Sequence, residues 1–155
     1  MNECDLHFMS CALDLAKKAY SMNEVPVGAV ITLNNRIIGE GYNQSITNND
    51  PTAHAEIVAI RAASHCVENY RLTDCNMYVT LEPCTMCAGA LIHSRFKKVF
   101  FSTSEPRAGA IISNLKILDQ DFLNHKVEYE FGILEKESSN LLQNFFKQKR
   151  KYKAL

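Results

Sequence analysis

The sequence predicts a layered α/β domain built on one mixed sheet. Three observations carry this. Apolar residues recur at helical spacing at both ends of the chain, short β-branched runs stand between helical stretches, and turn residues separate them in the order αββαβαβ, a long loop, then βα. At 155 residues, 46% apolar and 22% charged, the chain has the length and composition of one domain with one core.

Leu6, Met9, Leu13, Ala16 and Tyr20 fall at steps of three and four and give a first helix one apolar face to about Tyr20. Pro26 closes its exit. Residues 26–33 and 36–43 are β-branched runs flanking Asn34 and Asn35, which tolerate the positive φ of a tight turn, so they predict a hairpin. A polar loop follows, and Thr52 is placed to cap a helix over 53–66, with Ile57, Ile60 and Arg61 behind His54. Residues 76–81 read as a third strand. Pro83 suits the first turn of a helix that runs to about Arg95, and 98–102 make a fourth strand. Residues 103–124 have weak periodicity and are broken by glycine and proline, which predicts a long functional loop with a short helical turn near 115–118. Val127, Tyr129 and Phe131 alternate as a last strand, and Leu134, Leu141, Leu142 and Phe145 mark a C-terminal helix.

No apolar run is long enough to span a bilayer and no N-terminal secretion pattern is present, so the expectation is a soluble, cytoplasmic protein with no membrane partner. The formal net charge is zero, yet the charges are segregated. Lys147, Lys149, Arg150, Lys151 and Lys153 follow every acidic residue in the chain, and this basic patch fits either a solubilising terminus or contact with nucleic acid. The six cysteines need not pair in a chain of this length and context. Cys4, Cys11, Cys66 and Cys75 read as small apolar residues or bystanders; only Cys84 and Cys87 have ligand spacing.

His54 and Glu56 open one predicted helix and Cys84 and Cys87 another, each after a loop that follows a strand, so two helix N-termini are free to converge at one sheet edge. The helix dipole there favours thiolates, and a three-residue step puts both sulfurs on one face. One imidazole and two thiolates make an open zinc site whose fourth position takes a water, lowering its pKa toward about 7. Glu56, two positions from His54, is placed as the proton shuttle from that water to a ring nitrogen and then to the leaving ammonia. A CxxC pair alone also fits a redox dithiol or half of a structural zinc site. The complete string, HAE at 54–56 with PCTMC at 83–87, matches the signature of zinc-dependent base deaminases.

Beyond that signature, EVPVGAV (24–30), IGEGYN (38–43), DPTAHAEI (50–57), NYRL (69–72), YVTLEPCTMCAGALIHSR (78–95) and NFFKQKRK (144–151) closely resemble the bacterial tRNA-specific adenosine deaminases nearly end to end. The resemblance implies a cytidine-deaminase-like three-layer fold, a five-stranded mixed sheet with helices on both faces. It implies a single deaminase domain over 1–155, with a basic C-terminal helix and tail from about 133. It also implies a homodimer, one Zn2+ per subunit on His54, Cys84 and Cys87, and hydrolysis of adenosine to inosine at the wobble position of tRNA anticodon loops, an ACG-anticodon arginine tRNA being the expected partner.

Carried over in the same way, Asn43 hydrogen-bonds the flipped base, while Val27 and Ala55 wall its pocket. Aromatic and basic side chains suited to a splayed single strand are offered by Phe146, Lys147, Lys149 and Arg150, and by Tyr70 with Arg71. Of the paired phenylalanines, Phe145 is expected in the core. The chain departs from the family after the fourth strand, where relatives usually show Asp, Lys and Gly-Ala. Here Glu105 and Arg107 keep the acid and the base, with Glu105 one methylene longer, and Ser45 stands where proline is common. Competing readings are a deaminase of a free nucleobase or nucleotide (guanine, cytidine or deoxycytidylate), and a non-catalytic RNA-binding module stabilised by zinc.

Overall fold

Asn2 starts helix α1 (Glu3–Ser21) by a reciprocal cap, its side chain accepting the Asp5 N–H while the Asp5 carboxylate accepts the N–H of Asn2. The computed structural model describes residues 2–153. The helix buries Phe8, Met9, Ala12, Leu13, Ala16 and Ala19. Leu6 lies outside that face, 43% exposed, because the contact is turned toward Phe8, Ala12 and Ala19.

Five strands follow: β1 (Gly28–Leu33), β2 (Arg36–Tyr42), β3 (Asn76–Leu81), β4 (Lys98–Thr103) and β5 (Glu128–Phe131), in the spatial order β2-β1-β3-β4-β5. Asn34 and Asn35 take φ of 51° and 61° and join β1 to β2 as the expected hairpin. β1 is antiparallel to both neighbours, whereas β3, β4 and β5 are parallel. Period-two alternation then sorts the side chains. Val30, Tyr78 and Phe100 join α1 in one cluster, with the Tyr78 and Phe100 rings stacked at 4.5 Å. Ala29, Ile31, Met77, Val79, Val99 and Phe101 pack on the other face with α2 (Ala55–Val67) and α3 (Thr85–His93). The last helix, α4 (Glu135–Lys153), sets Phe145 edge-on to Tyr20 of α1 at 5.6 Å. Helices therefore cover both faces of the mixed sheet, the three layers expected.

Helix α2 meets β2 through small residues. A Cβ on Gly39 or Gly41 would collide with the backbone of Ala59 or Ala55, so only glycine admits the helix this closely. The buried face is consequently Ala55, Glu56, Ala59 and Ala63, and the expected Ile57 and Ile60 are only half-buried.

Three local expectations shift. Thr52 does not cap α2: its N–H and hydroxyl both donate to Asp50, and His54 occupies the cap position. Pro83 precedes the helix it was expected to open, with Cys84 as N-cap and Thr85 as first helical residue. The turn near 115–118 is a 3-10 turn at Ile117–Asp119, since Leu115 and Lys116 hold positive φ that an α-helical turn cannot accommodate.

Candidate active site and metal centre

Both chemistry-bearing segments begin at helix starts on the same face of the sheet. His54 stands at the N-cap position of α2 in extended backbone and Cys84 at that of α3, neither side chain making a cap hydrogen bond, with Cys87 one turn further on. The Nδ1 of His54 lies 3.6 Å from the Cys84 sulfur and 3.6 Å from the Cys87 sulfur, and the three atoms all fall within 4.8 Å of one another. Tetrahedral zinc, with bonds of about 2.3 Å to sulfur and about 2.0 Å to nitrogen, separates a bound nitrogen from a bound sulfur by about 3.5 Å. The donor set fits that ion in both spacing and chemistry. Among the described residues no other His, Cys, Asp and Glu group converges in this way.

In the metal-free protein the ligand atoms shift one another's protonation. A hydrogen bond from the Cys87 thiol, opposed by burial and helped by His54, brings Cys84 down to about 4, so one sulfur is a thiolate. Cys87 is held well above its usual range by the same contact with Cys84 and by burial. His54 is raised by its hydrogen bond to Cys84, against burial. Glu56, on the buried face of α2, is pushed up to about 7, first by burial and also by the Cys84 charge. A carboxyl group, a thiolate and an imidazole share one partly dry corner.

Residues 2–103 match the family model described as the cytidine and deoxycytidylate deaminase zinc-binding region. The tRNA-specific adenosine deaminase of Haemophilus influenzae is 48% identical over 155 residues, covering 99% of this chain and 90% of that protein. The protein of the same description from Buchnera aphidicola (subsp. Baizongia pistaciae) is 48% identical over 97% of this chain and 93% of its own. The chain belongs to the tRNA-specific adenosine deaminase family. A solved structure from work on A-to-I editing by tRNA:A34 deaminases at the wobble position superposes with a TM-score of 0.86 at 40% identity, covering 88% of this chain and 99% of that one. A guanine deaminase from Nitrosomonas europaea, TM-score 0.72 at 19% identity over 90% of this chain and 83% of its own, shares the fold.

In this family member the base-pocket candidates are strung together by hydrogen bonds. The Asn43 N–H donates to the Val27 carbonyl at 3.1 Å, and the Asn43 Oδ1 accepts the Ala55 N–H at 2.7 Å. Val27 and Ala55 are buried beside it. The side-chain oxygen is thus engaged in capping α2, and the amide nitrogen is the group left to donate.

Glu105, Arg107, Phe146, Lys149 and Arg150 line one groove of about 500 Å³ between the β4–β5 connection and α4. Phe145 is buried and Phe146 is 44% exposed, the division expected from sequence. Lys147 is exposed on α4 outside that groove. Tyr70 is 73% exposed beyond α2, with the Arg71 guanidinium 5.6 Å from its ring centroid, and neither lines the groove. The departure at Glu105 has a local outcome: its carboxylate folds back to accept the Arg107 N–H at 2.9 Å.

Two buried carboxylates were not singled out by sequence. Glu24 accepts the N–H groups of Ile46 and Thr47 and the Thr47 hydroxyl, and Glu82 gathers the segment 105–113. Each is the lone acid in an apolar run, EVPV and TLEPC, which is the signal available in the sequence.

Proposed function

We propose that this chain deaminates adenosine to inosine at the wobble position of tRNA anticodon loops, with one zinc ion held by His54, Cys84 and Cys87. The observation that carries the reading is the three-ligand group with buried Glu56 on the helix that His54 begins. When bound, zinc supplies a hydroxide nucleophile at neutral pH by lowering the pKa of a water. Glu56 would take the first proton of that water and give it to the purine ring nitrogen N1 as the hydroxyl adds to C6, then carry the second, from the added hydroxyl, to the amine that leaves C6 as ammonia. The overall balance is adenosine plus water to inosine plus ammonia.

Asn43 orients the flipped base through its free amide N–H, held in place by the Ala55 bond, while Val27 and Ala55 give the pocket an apolar wall. The groove bearing Glu105, Arg107, Phe146, Lys149 and Arg150 suits the splayed strand, with Phe146 as a stacking face and the basic groups for phosphates. Lys147 adds a further basic group on α4, and Tyr70 with Arg71 forms a separate exposed aromatic and basic pair beyond α2. The working unit is one deaminase domain over 1–155, paired as a homodimer in the cytoplasm, and an ACG-anticodon arginine tRNA is the substrate to test. Among the described residues no helix is long and apolar enough to cross a membrane. Zinc-loaded protein incubated with that tRNA is expected to yield inosine at the wobble position, mapped by reverse transcription. Adenosine left intact there would overturn the reading.

A further inference from the structure

The Glu82 carboxylate stands at the junction of β3 and the metal-ligand turn, 3% exposed, one residue after the strand and two before Cys84. Five donors converge on it. Oε1 accepts the Glu105 N–H at 3.0 Å and the Ser113 hydroxyl at 2.6 Å; Oε2 accepts the N–H groups of Ile111 at 3.0 Å, Ile112 at 2.8 Å and Ser113 at 3.0 Å. A carboxylate is acceptor-only on both oxygens, so it satisfies this ring of donors as no neutral side chain does.

These donors come from both ends of the segment 105–113, so one side chain closes the loop on itself. The same loop is docked on the metal-ligand turn: Gly109 pairs with Cys84 in an isolated bridge, and the Ala110 N–H donates to the Pro83 carbonyl at 2.9 Å. A Cβ at residue 109 would strike the Glu82 carboxyl group, which is why this position takes glycine. Glu105, at one anchored end, and Arg107, between the two, line the groove shared with α4.

We infer that Glu82 is a positioning residue for the nucleic-acid substrate: it fixes the loop 105–113 in the shape that presents Glu105 and Arg107 to the strand, and registers that loop against the Cys84 turn. The inference rests on the RNA reading above. It separates two roles carried by neighbouring residues, since Cys84 serves the metal and Glu82 serves substrate capture. Loosening the clamp then acts on KM before kcat, because the groups it controls contact the substrate away from the reacting carbon.

The test compares Glu82→Gln, Ser113→Ala and Arg107→Ala with the wild type on an anticodon stem-loop RNA, with zinc content and amide exchange measured on each. In Glu82→Gln the carboxamide turns an NH2 toward N–H donors. The expected result is one zinc per chain, lost exchange protection at residues 111–113, and KM raised about tenfold with kcat within about threefold. Ser113→Ala, which deletes only the 2.6 Å bond, is expected to shift KM in the same direction by less, and it serves if Glu82→Gln fails to fold. Glu82→Gln combined with Arg107→Ala is expected to be little worse than Glu82→Gln alone, because both act through one loop. Wild-type KM in folded, zinc-loaded Glu82→Gln, loss of zinc from it, or effects that simply add with Arg107→Ala would each overturn the inference. A wild type inactive on this RNA counts against the functional reading instead. Exchange at 111–113 then judges the clamp, and unchanged protection in Glu82→Gln overturns it.

Discussion

The Asn43 side-chain oxygen accepts the Ala55 N–H at 2.7 Å, so the residue that ends the β-hairpin also caps the helix bearing Glu56. One amide holds the helix with its oxygen, and its nitrogen is the donor proposed for the base. Asn43→Ala is expected to lose both, with a stability cost of about 1 kcal/mol from the missing cap. Asn43→Asp keeps the acceptor and loses the donor. Its melting temperature is expected to stay near that of the wild type while inosine formation falls by roughly tenfold or more. Full activity in Asn43→Asp would sink the base contact, and a melting point as low as that of Asn43→Ala would sink the cap.

Glu56 sits on the buried face of α2 with no place among the three ligand atoms. Glu56→Gln keeps its volume and removes the group proposed as proton carrier. Turnover is expected to fall by roughly 10²–10⁴, the range for losing a general acid–base group. Zinc measured by atomic absorption is expected to stay at one per chain. Loss of the metal along with activity would make Glu56 a ligand instead.

Cys84→Ser replaces the residue that provides the thiolate. This variant and chelator-treated wild type are both expected to lose activity, and added zinc is expected to restore only the wild type. Because the ion binds the folded state, stripping it should also lower the melting temperature. Metal-free protein that still makes inosine would refute the zinc requirement.

The architecture was legible in the sequence wherever a period was long enough to read. The alternation in Val30, Tyr78 and Phe100 against Ile31, Val79 and Phe101 sorts both faces of the sheet, and the spacing of His54, Cys84 and Cys87 gives the ligand group before any coordinates. Non-local bonds were not legible. Thr52 looks like a cap, but the cap of α2 comes from Asn43, across a chain separation that no local pattern encodes. The stretch 105–113 reads as irregular because its order comes from outside it, from the Glu82 carboxylate. Leu6 fits an ideal stripe, yet which face a helix buries is set by the partner surface, here the rings of Tyr78 and Phe100.

Glu24 ties the loop after Asn43 to the start of β1 and predicts the shape of the acid limb of stability. Burial alone would raise its carboxyl; the Thr47 hydroxyl, the N–H groups of Thr47 and Ile46, and the Lys149 charge outweigh that and hold it below its usual value. A depressed folded-state pKa contributes stability that is present above the unfolded value of about 4.3 and lost as pH falls through the folded value. Glu24→Gln is therefore expected to melt below the wild type at pH 7, with the gap closing as pH is lowered past about 4. Thermal melts across that range decide it, since a gap constant with pH would mean the carboxylate charge does nothing.

The groove beside α4 carries two kinds of group whose effects on RNA binding separate by salt. A basic side chain on a phosphate releases a counterion, so removing one weakens binding and flattens the dependence of log K on log salt by about 0.7 for a single strand. Lys149→Ala and Arg150→Ala are each expected to show that change. Phe146 is 44% exposed and carries no charge, and a base stacked on it is worth about 1–3 kcal/mol whatever the salt. Phe146→Ala is thus expected to lower affinity for the anticodon stem-loop at every salt concentration with the slope unchanged. Titrations at several ionic strengths read both quantities at once. A salt slope unmoved in Lys149→Ala and Arg150→Ala would place the strand elsewhere on the surface, because a phosphate contact cannot be removed without its counterion term.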